Sequence, residues 1–380
     1  MSFTPLGLPT ALLTALEQQQ YRQATPIQSQ AIPAILERKN ILGIAQTGSG
    51  KTASFVLPIL TNLQEQPKVR NRHPAVLVLA PTRELAVQIN QVFQLFSQAL
   101  SHPIKTLAVY GGVSINPQMM DMNGVQVLVA TPGRLLDLLD SNAVGLSAVK
   151  TLVLDEADKM LNLGFQEEVN KILELVPKRR QNLLFSATLS PDLDRLSTVL
   201  MKDPVVINIE TKETEQELIH QSGFFVSEER KGPLLRYLIK TNDYKQVLVF
   251  TSSGRRADNV ANKLLKNGIK AASIHGKKTQ SERNSVLNQF KTGKIRVLVA
   301  TDLLSRGIDI AFLPCVINYE LPRSPKDYIH RIGRTGRAEN PGVAITLVVP
   351  DDLRHFKLIL KKNKLWLTMT DSDAMDLRGY

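Results

Sequence analysis

Two short blocks hold residue types and spacings that could do phosphate chemistry. The first is Ala45-Gln46-Thr47-Gly48-Ser49-Gly50-Lys51-Thr52. Gly48 and Gly50 free the backbone to curl so that its N–H groups point at phosphate oxygens, and a helix N-terminus directly after adds a favourable dipole. Lys51 would neutralise β- and γ-phosphates, and the Thr52 hydroxyl would hold Mg²⁺. Ala45 stands where this motif usually has its first glycine. The second block is Asp155-Glu156-Ala157-Asp158, after the apolar run Thr151–Leu154. A carboxylate at a strand end beside a phosphate loop can hold the metal, so Asp155 is assigned to Mg²⁺. Glu156 is assigned as the general base that orients an attacking water. Alone, the acidic block would read as a helix start favoured by the dipole. Together the two blocks point to an ATPase or a GTPase and do not choose between them.

The elements that must position these blocks are legible as alternating strands and helices. Expected strands are Ile41–Ala45, Val76–Ala80, Thr106–Tyr110, Gln126–Ala130, Thr151–Leu154 and Leu183–Phe185, then Gln246–Phe250, Ala271–Ile274, Ile295–Ala300, Cys315–Asn318 and Val343–Val349. Near-continuous apolar runs suit parallel strands buried on both faces. Helical patterns such as Arg83–Leu100, Arg255–Leu265 and Ser281–Phe290 lie between them. The alternation predicts right-handed βαβ units and open α/β sheets. Glu210–Leu218 is charged and lacks a strand signal, so it reads as a linker between domains 1–209 and 219–380. Gln64–Pro74 reads as a mobile surface loop. Val127-Leu128-Val129-Ala130-Thr131 returns as Val297-Leu298-Val299-Ala300-Thr301. This echo suggests two related halves, each with a threonine at a strand's C-terminal end, where open sheets bind ligands.

Composition sets the remaining bounds. The 380 residues carry a net charge of +12, which suits a polyanionic partner. An anionic membrane surface is the weaker alternative. A single cysteine, Cys315, rules out an intrachain disulfide and fits a reducing cytoplasm. The opening MSFTPLGLPT lacks the pattern of a secretory leader, and no apolar run approaches a membrane span.

Other short motifs narrow the chemistry when read in order. They are Thr25-Pro26-Ile27-Gln28, Pro81-Thr82-Arg83-Glu84-Leu85, Gly111-Gly112, Thr131-Pro132-Gly133-Arg134 and Ser186-Ala187-Thr188 in the first half. The second half adds His275-Gly276, Gln280-Ser281-Glu282-Arg283, Ala300-Thr301-Asp302, Ser305-Arg306-Gly307-Ile308-Asp309 and the run from His330 to Arg337. The ordered series resembles the DEAD-box RNA helicase family over roughly residues 3 to 350. Within it the chain looks most like the bacterial group typified by RhlE.

The resemblance implies two RecA-like (P-loop) domains, each a mainly parallel sheet with helices on both faces, and an RNA-dependent ATPase that uses ATP and Mg²⁺. It implies that Gln28 recognises adenine, Tyr21 stacks on the base, and Phe3 is the family's upstream aromatic. Residues Gln46, Thr47, Gly48, Ser49, Gly50, Lys51 and Thr52 hold the phosphates, and Gly307 and Asp309 approach the nucleotide. Arg334 and Arg337 match arginine fingers. RNA contacts fall on Arg83, Gly112, Thr131, Arg134, Gly276, Arg283 and Thr301, and largely sequence-independent binding follows from backbone contacts of this kind. Ser186, Thr188 and His330 couple nucleotide state to closure, the first two through hydrogen bonds to the Asp-Glu-Ala-Asp segment. The implied partners are single-stranded RNA and short duplexes. Ribosome-assembly and RNA-decay proteins stay open, and no membrane partner is expected. A DNA translocase and a non-unwinding RNA clamp are the competing activities. The basic tail with Arg354, Lys357, Lys361, Lys362, Lys364 and Trp366 reads as a solvated cap, with an RNA-touching helix as the alternative.

Overall fold

The computed structural model describes residues 2–46, 48–64, 71–209, 219–302, 313–336 and 341–380. The chain divides into two compact units, Met1–Thr211 and Lys212–Tyr380. The first contains β1 (Ile41–Ile44), β2 (Val76–Leu79), β3 (Thr106–Val109), β4 (Val127–Ala130), β5 (Thr151–Leu154), β6 (Gln181–Ser186) and β7 (Val205–Asn208). The second contains β8 (Ile219–Phe225), β9 (Val247–Thr251), β10 (Ala271–Ile274), β11 (Val297–Thr301), β12 (Cys315–Asn318), β13 (Gly342–Val348) and β14 (Thr368–Asp371). Each unit is built on a seven-stranded sheet, in the orders β3-β4-β2-β5-β6-β1-β7 and β10-β11-β9-β12-β13-β8-β14. Every strand pairing in both is parallel.

Alternation along the strands divides the cores. In β2, Val76 and Val78 join the cluster formed with helices Pro26–Leu36, Lys51–Gln64 and Arg83–Ser97. Leu77 and Leu79 join the opposite cluster, with helices Pro132–Asp140, Gln166–Leu175 and Pro191–Leu200. A period of two thus feeds both faces of one sheet, which explains the unbroken apolar runs. The second unit repeats the division. Val247 and Val249 of β9 face helices Lys231–Thr241 and Gly254–Lys266, whereas Leu248 and Phe250 face Phe290 of helix Gln280–Lys291.

The two strand orders are the same once the second is renumbered. The echoed segments fall on β4 and β11, the second strand of each sheet, as related halves require. Three strands stand outside the expected set. β7 and β14 are outermost strands, and β8 neighbours β14. The tail is therefore not only a cap: after helix Leu353–Asn363 it returns as β14 and pairs with β8. Of the expected loop Gln64–Pro74, Gln64 ends a helix and 65–70 lie outside the described residues, as does the expected linker 210–218. Among the described residues no helix is long and apolar enough to cross a membrane.

Candidate active site and nucleic-acid interface

Because every strand is parallel, all C-terminal strand ends of a sheet meet along one rim. In the first unit this rim sorts the proposed residues. Adjacent β5, β6 and β1 end at Asp155, Ser186 and the phosphate loop, and adjacent β3, β4 and β2 lead to Gly112, Thr131 and Arg83.

Helix Lys51–Gln64 anchors the phosphate loop. Its Phe55, Val56, Leu57 and Leu60 are fully buried, and each such side chain stabilises by about 1.5–3 kcal/mol, so the loop starts from a fixed base. Gly48 and Gly50 have φ of 88° and 92°, the left-handed region that favours glycine. A side chain at Gly50 would also collide with the Gln28 amide. Gln28 is 1% exposed. Its Oε1 accepts from the Thr25 N–H at 2.9 Å, and its Nε2 donates to the Gly50 carbonyl at 3.2 Å. Gln28 therefore also braces the loop, a role the motif did not suggest.

Lys51 is buried and donates from Nζ to the Ala45 carbonyl at 2.6 Å. Ser49 Oγ donates to the Gln46 carbonyl at 2.7 Å, and Thr52 is half-buried. Thr47 lies outside the described residues. Tyr21 sits edge-on between Phe3 and Phe96, at centroid distances of 6.5 and 5.8 Å, and is half-buried. Phe3 is buried in the same core cluster, so its contacts are packing contacts.

Asp155 is 2% exposed, and its Oδ1 accepts from the Glu156 N–H at 2.9 Å. Burial pushes its carboxyl up to about 6; the nearby Lys51 ammonium pulls the other way, and the Glu156 carboxylate adds to the rise. Glu156 adopts φ 52° and ψ 46°, a left-handed conformation uncommon outside glycine. Its Oε2 lies 2.6 Å from Lys159 Nζ, with both side chains 5% exposed. This buried ion pair, which the sequence reading missed, fixes the aim of the carboxylate. Asp158 Oδ2 accepts from Thr188 Oγ1 at 3.0 Å. Ser186 Oγ donates to the Thr188 carbonyl at 2.9 Å, so among the described residues Ser186 is linked to the acidic segment through Thr188.

On the other half of the rim, Gly112 has φ 75°, and the Arg83 guanidinium occupies the place a side chain would take. Arg134 is 8% exposed, donating from Nη2 to the Val113 carbonyl at 2.8 Å and from Nε to Asp137 at 3.3 Å. Thr131 immediately precedes the helix that carries Arg134. The four residues Arg83, Gly112, Thr131 and Arg134 are thus brought together by three neighbouring strands.

In the second unit Gly276 and Thr301 follow β10 and end β11, the places that Gly112 and Thr131 take in the first. They line a pocket of about 390 Å³ with Ser252, Ser253, Gly254 and His275. His275 shares a hydrogen bond with Asp258 at 3.0 Å and packs against Gly254. Arg283 is buried and donates to Gln280 Oε1. Arg334 is 5% exposed and His330 is half-buried. Arg337, Gly307 and Asp309 lie outside the described residues.

Two further residues carry weight. Arg331 is 1% exposed and grips Asp302 from Nε and Nη2 at 2.5 and 2.7 Å. It also donates to Asn318 and to the Glu320 carbonyl, and lies over the Phe250 ring. It ties the end of β11, next to Thr301, to the helix that precedes Arg334. Lys231 opens the helix after β8, as Lys51 opens the helix after β1. It is 2% exposed and pairs with Glu228 at 3.2 Å. Both sit in recognised motifs or helix starts, but only burial distinguishes them from surface cations.

A phosphate loop beside a buried Asp-Glu pair, on the first of two matched parallel sheets, defines a nucleotide-hydrolysing motor of the two-unit helicase class. Residues 25–196 match the DEAD/DEAH box helicase family and residues 230–339 match the helicase conserved C-terminal domain, and the chain belongs to this family. It is similar to the ATP-dependent RNA helicase CshA of Limosilactobacillus reuteri, at 40% identity over 96% of this chain and 72% of that protein. It is 43% identical to the ATP-dependent RNA helicase dbp2 of Sclerotinia sclerotiorum, over 92% of this chain and 62% of the relative. Among solved structures, Dbp5 of S. cerevisiae bound to RNA and ADP BeF3 aligns with a TM-score of 0.85 at 30% identity, covering 100% of this chain and 97% of that one. A DEAD box protein from Methanococcus jannaschii aligns at 0.56 and 37% identity, covering 97% and 99%.

Proposed function

We propose that this chain hydrolyses ATP at the β5-β6-β1 rim and uses the β3-β4-β2 rim, with its counterpart in the second unit, to hold RNA by its backbone and separate short duplexes. The chain is an ATP-dependent RNA helicase of the DEAD-box family, an RNA-dependent ATPase. The observation that best supports the residue roles is that Lys51 and Asp155, far apart in sequence, are both buried and close enough for the Lys51 charge to act on the Asp155 carboxyl.

The donor set fits Mg²⁺ that arrives with nucleotide. Asp155 is a buried carboxylate whose charge is only partly compensated, and a hard cation is its natural complement. Asp155 and the Thr52 hydroxyl would hold it, and when bound it neutralises charge on the phosphates. In this reading Lys51 and the backbone of Gln46–Thr52 position the phosphates, Gln28 and Tyr21 recognise the base, and Gly307 and Asp309 are further nucleotide contacts. Glu156, aimed by Lys159, takes a proton from the attacking water. Arg334 and Arg337 add positive charge where the phosphoryl group transfers. Arg83, Gly112, Thr131, Arg134, Gly276, Arg283 and Thr301 hold the RNA backbone. Thr188, through Asp158, and Ser186, through Thr188, relay the nucleotide state, with His330 in the same network. A place in the bacterial RhlE-like group, a cytoplasmic location, and ribosome-assembly or RNA-decay assemblies as working context belong to the same proposal.

Steady-state ATP hydrolysis with single-stranded RNA, and with DNA of equal length, tests this reading. Strong stimulation by RNA and little by DNA is expected. Equal stimulation by both would make the protein a DNA-capable translocase. Turnover left intact by Glu156→Gln would remove Glu156 as the base.

A further inference from the structure

The basic tail carries one side chain that the fold does not use. Trp366, the only tryptophan of the chain, is 96% exposed. Its neighbours Leu365 and Leu367 pack against the core, as does Met369. Trp366 lies in the connection before β14, and the inward packing of its two neighbours turns it outward. A large aromatic left in water forgoes its whole burial energy, so an exposed one that the fold has placed calls for a ligand.

The surroundings state which ligand. Residues 353–367 contain five Lys or Arg and no Asp or Glu. On helix Leu353–Asn363, Phe356 and Ile359 face inward, whereas Arg354, Lys357, Lys361 and Lys362 are exposed. Arg354, Lys357 and Lys361 recur at intervals of three and four, so they share one stripe. Over seven residues that stripe runs about 10 Å. Lys364 caps the helix in a left-handed conformation, which turns the chain from the stripe to Trp366. A row of cations ending at an exposed indole matches single-stranded nucleic acid, where phosphates track the charge and bases stack on the ring. Leu358, 47% exposed, is the one large apolar side chain in this stripe, so cations outnumber it and the face suits phosphates better than an apolar protein groove.

We propose that this face is an ancillary site for single-stranded RNA, with Arg354, Lys357, Lys361, Lys362 and Lys364 on phosphates and Trp366 stacked on a base. The choice of RNA rests on the proposed function above. The site is separate from the pocket at Gly276 and Thr301: β14 is the last strand of the sheet and β11 the second, five strand spacings or about 24 Å away. It would hold the strand beyond the segment on which the motor acts, and so raise its effective concentration there.

The single tryptophan makes the test direct. Intact protein is titrated with a uridine oligonucleotide while its intrinsic emission and its RNA-stimulated ATP hydrolysis are read in the same samples. Saturable quenching of Trp366 is expected. Trp366→Ala, which removes the emission and is therefore read by anisotropy of a labelled oligonucleotide, should weaken binding roughly 5- to 150-fold, the range of base–aromatic stacking. Lys361→Glu with Lys362→Glu should abolish the quenching and flatten the salt dependence of affinity by about 1.4 logarithmic units per decade. Circular dichroism and thermal melting of each variant report its fold. Emission unchanged at RNA concentrations that saturate ATPase stimulation overturns the site and leaves a protein partner as its occupant. Quenching that survives the double substitution overturns it too. Quenching without any ATPase stimulation would retain the site and sink the proposed function, so the two failures are distinct.

Discussion

Replacing Asp155 by asparagine should stabilise the protein while abolishing ATP hydrolysis. Burial holds the Asp155 carboxyl up at about 6 in the folded chain, against an ordinary 3.8. Between these values the folded protein keeps a proton that the unfolded chain has released. Stability therefore falls as pH rises through that window, and the loss is complete above about 6. The whole shift corresponds to about 3 kcal/mol. Asp155→Asn keeps an oxygen to accept the Glu156 N–H and removes the ionisable group. With nucleotide and divalent metal absent, the variant should be more stable by about 3 kcal/mol at pH 8 and by about half that at pH 5. For a unit of this size the pH 8 difference is a rise of roughly 6–12 °C in the melting of the first unit. Calorimetry in EDTA at both pH values measures it. Equal melting of parent and variant at pH 8, or a gap that does not shrink at pH 5, would refute the reasoning. A stability gain with lost activity would show a carboxylate kept for chemistry at the expense of folding.

Gly112→Ala places a methyl group where the Arg83 guanidinium now lies, at φ 75°. Strain of about 1–2 kcal/mol should appear as a roughly 5- to 30-fold higher RNA concentration for half-maximal ATPase stimulation, with RNA-free turnover unchanged. Thr188→Val removes the hydroxyl donor to buried Asp158, a loss of about 1–3 kcal/mol. Duplexes separated per ATP hydrolysed should fall more than ATP turnover itself. Arg331→Met leaves Asp302 without its bidentate partner, and the second unit should lose about 3–5 kcal/mol, read as an earlier melting transition with the first unit's transition in place.

How much of this was legible in the sequence follows from burial. Strands buried on both faces announce themselves as apolar runs, and Thr151–Leu154, Ala271–Ile274 and Cys315–Asn318 were read to the residue. β14, Thr-Met-Thr-Asp, is mostly exposed and has no such run. β8, Ile-His-Gln-Ser-Gly-Phe-Phe, is polar along half its length, and β7 lies at a sheet edge with alternate residues exposed. For these, pairing with a neighbour outweighs composition. The glycines and carboxylates of the site were readable because their chemistry allows few substitutes. Lys159, Arg331 and the bracing role of Gln28 were not, since a buried ion pair or amide looks in sequence like any surface polar residue. The left-handed backbone of Glu156 gives no sequence signal either.

The repeated strand order has a further consequence, in stoichiometry. In each sheet the sixth strand leads to a helix that opens with a buried lysine, Lys51 in one and Lys231 in the other. At Lys51 the preceding loop is glycine-rich and its ammonium rests on a main-chain carbonyl, a weak partner that phosphate can replace. At Lys231 the chain supplies its own anion, Glu228, and the Tyr319 ring lies 5.2 Å from the ammonium. The second lysine is thus already paired with a side chain of its own unit. A protein with two copies of one frame should therefore bind a single ATP per chain, and equilibrium dialysis should return one equivalent rather than two.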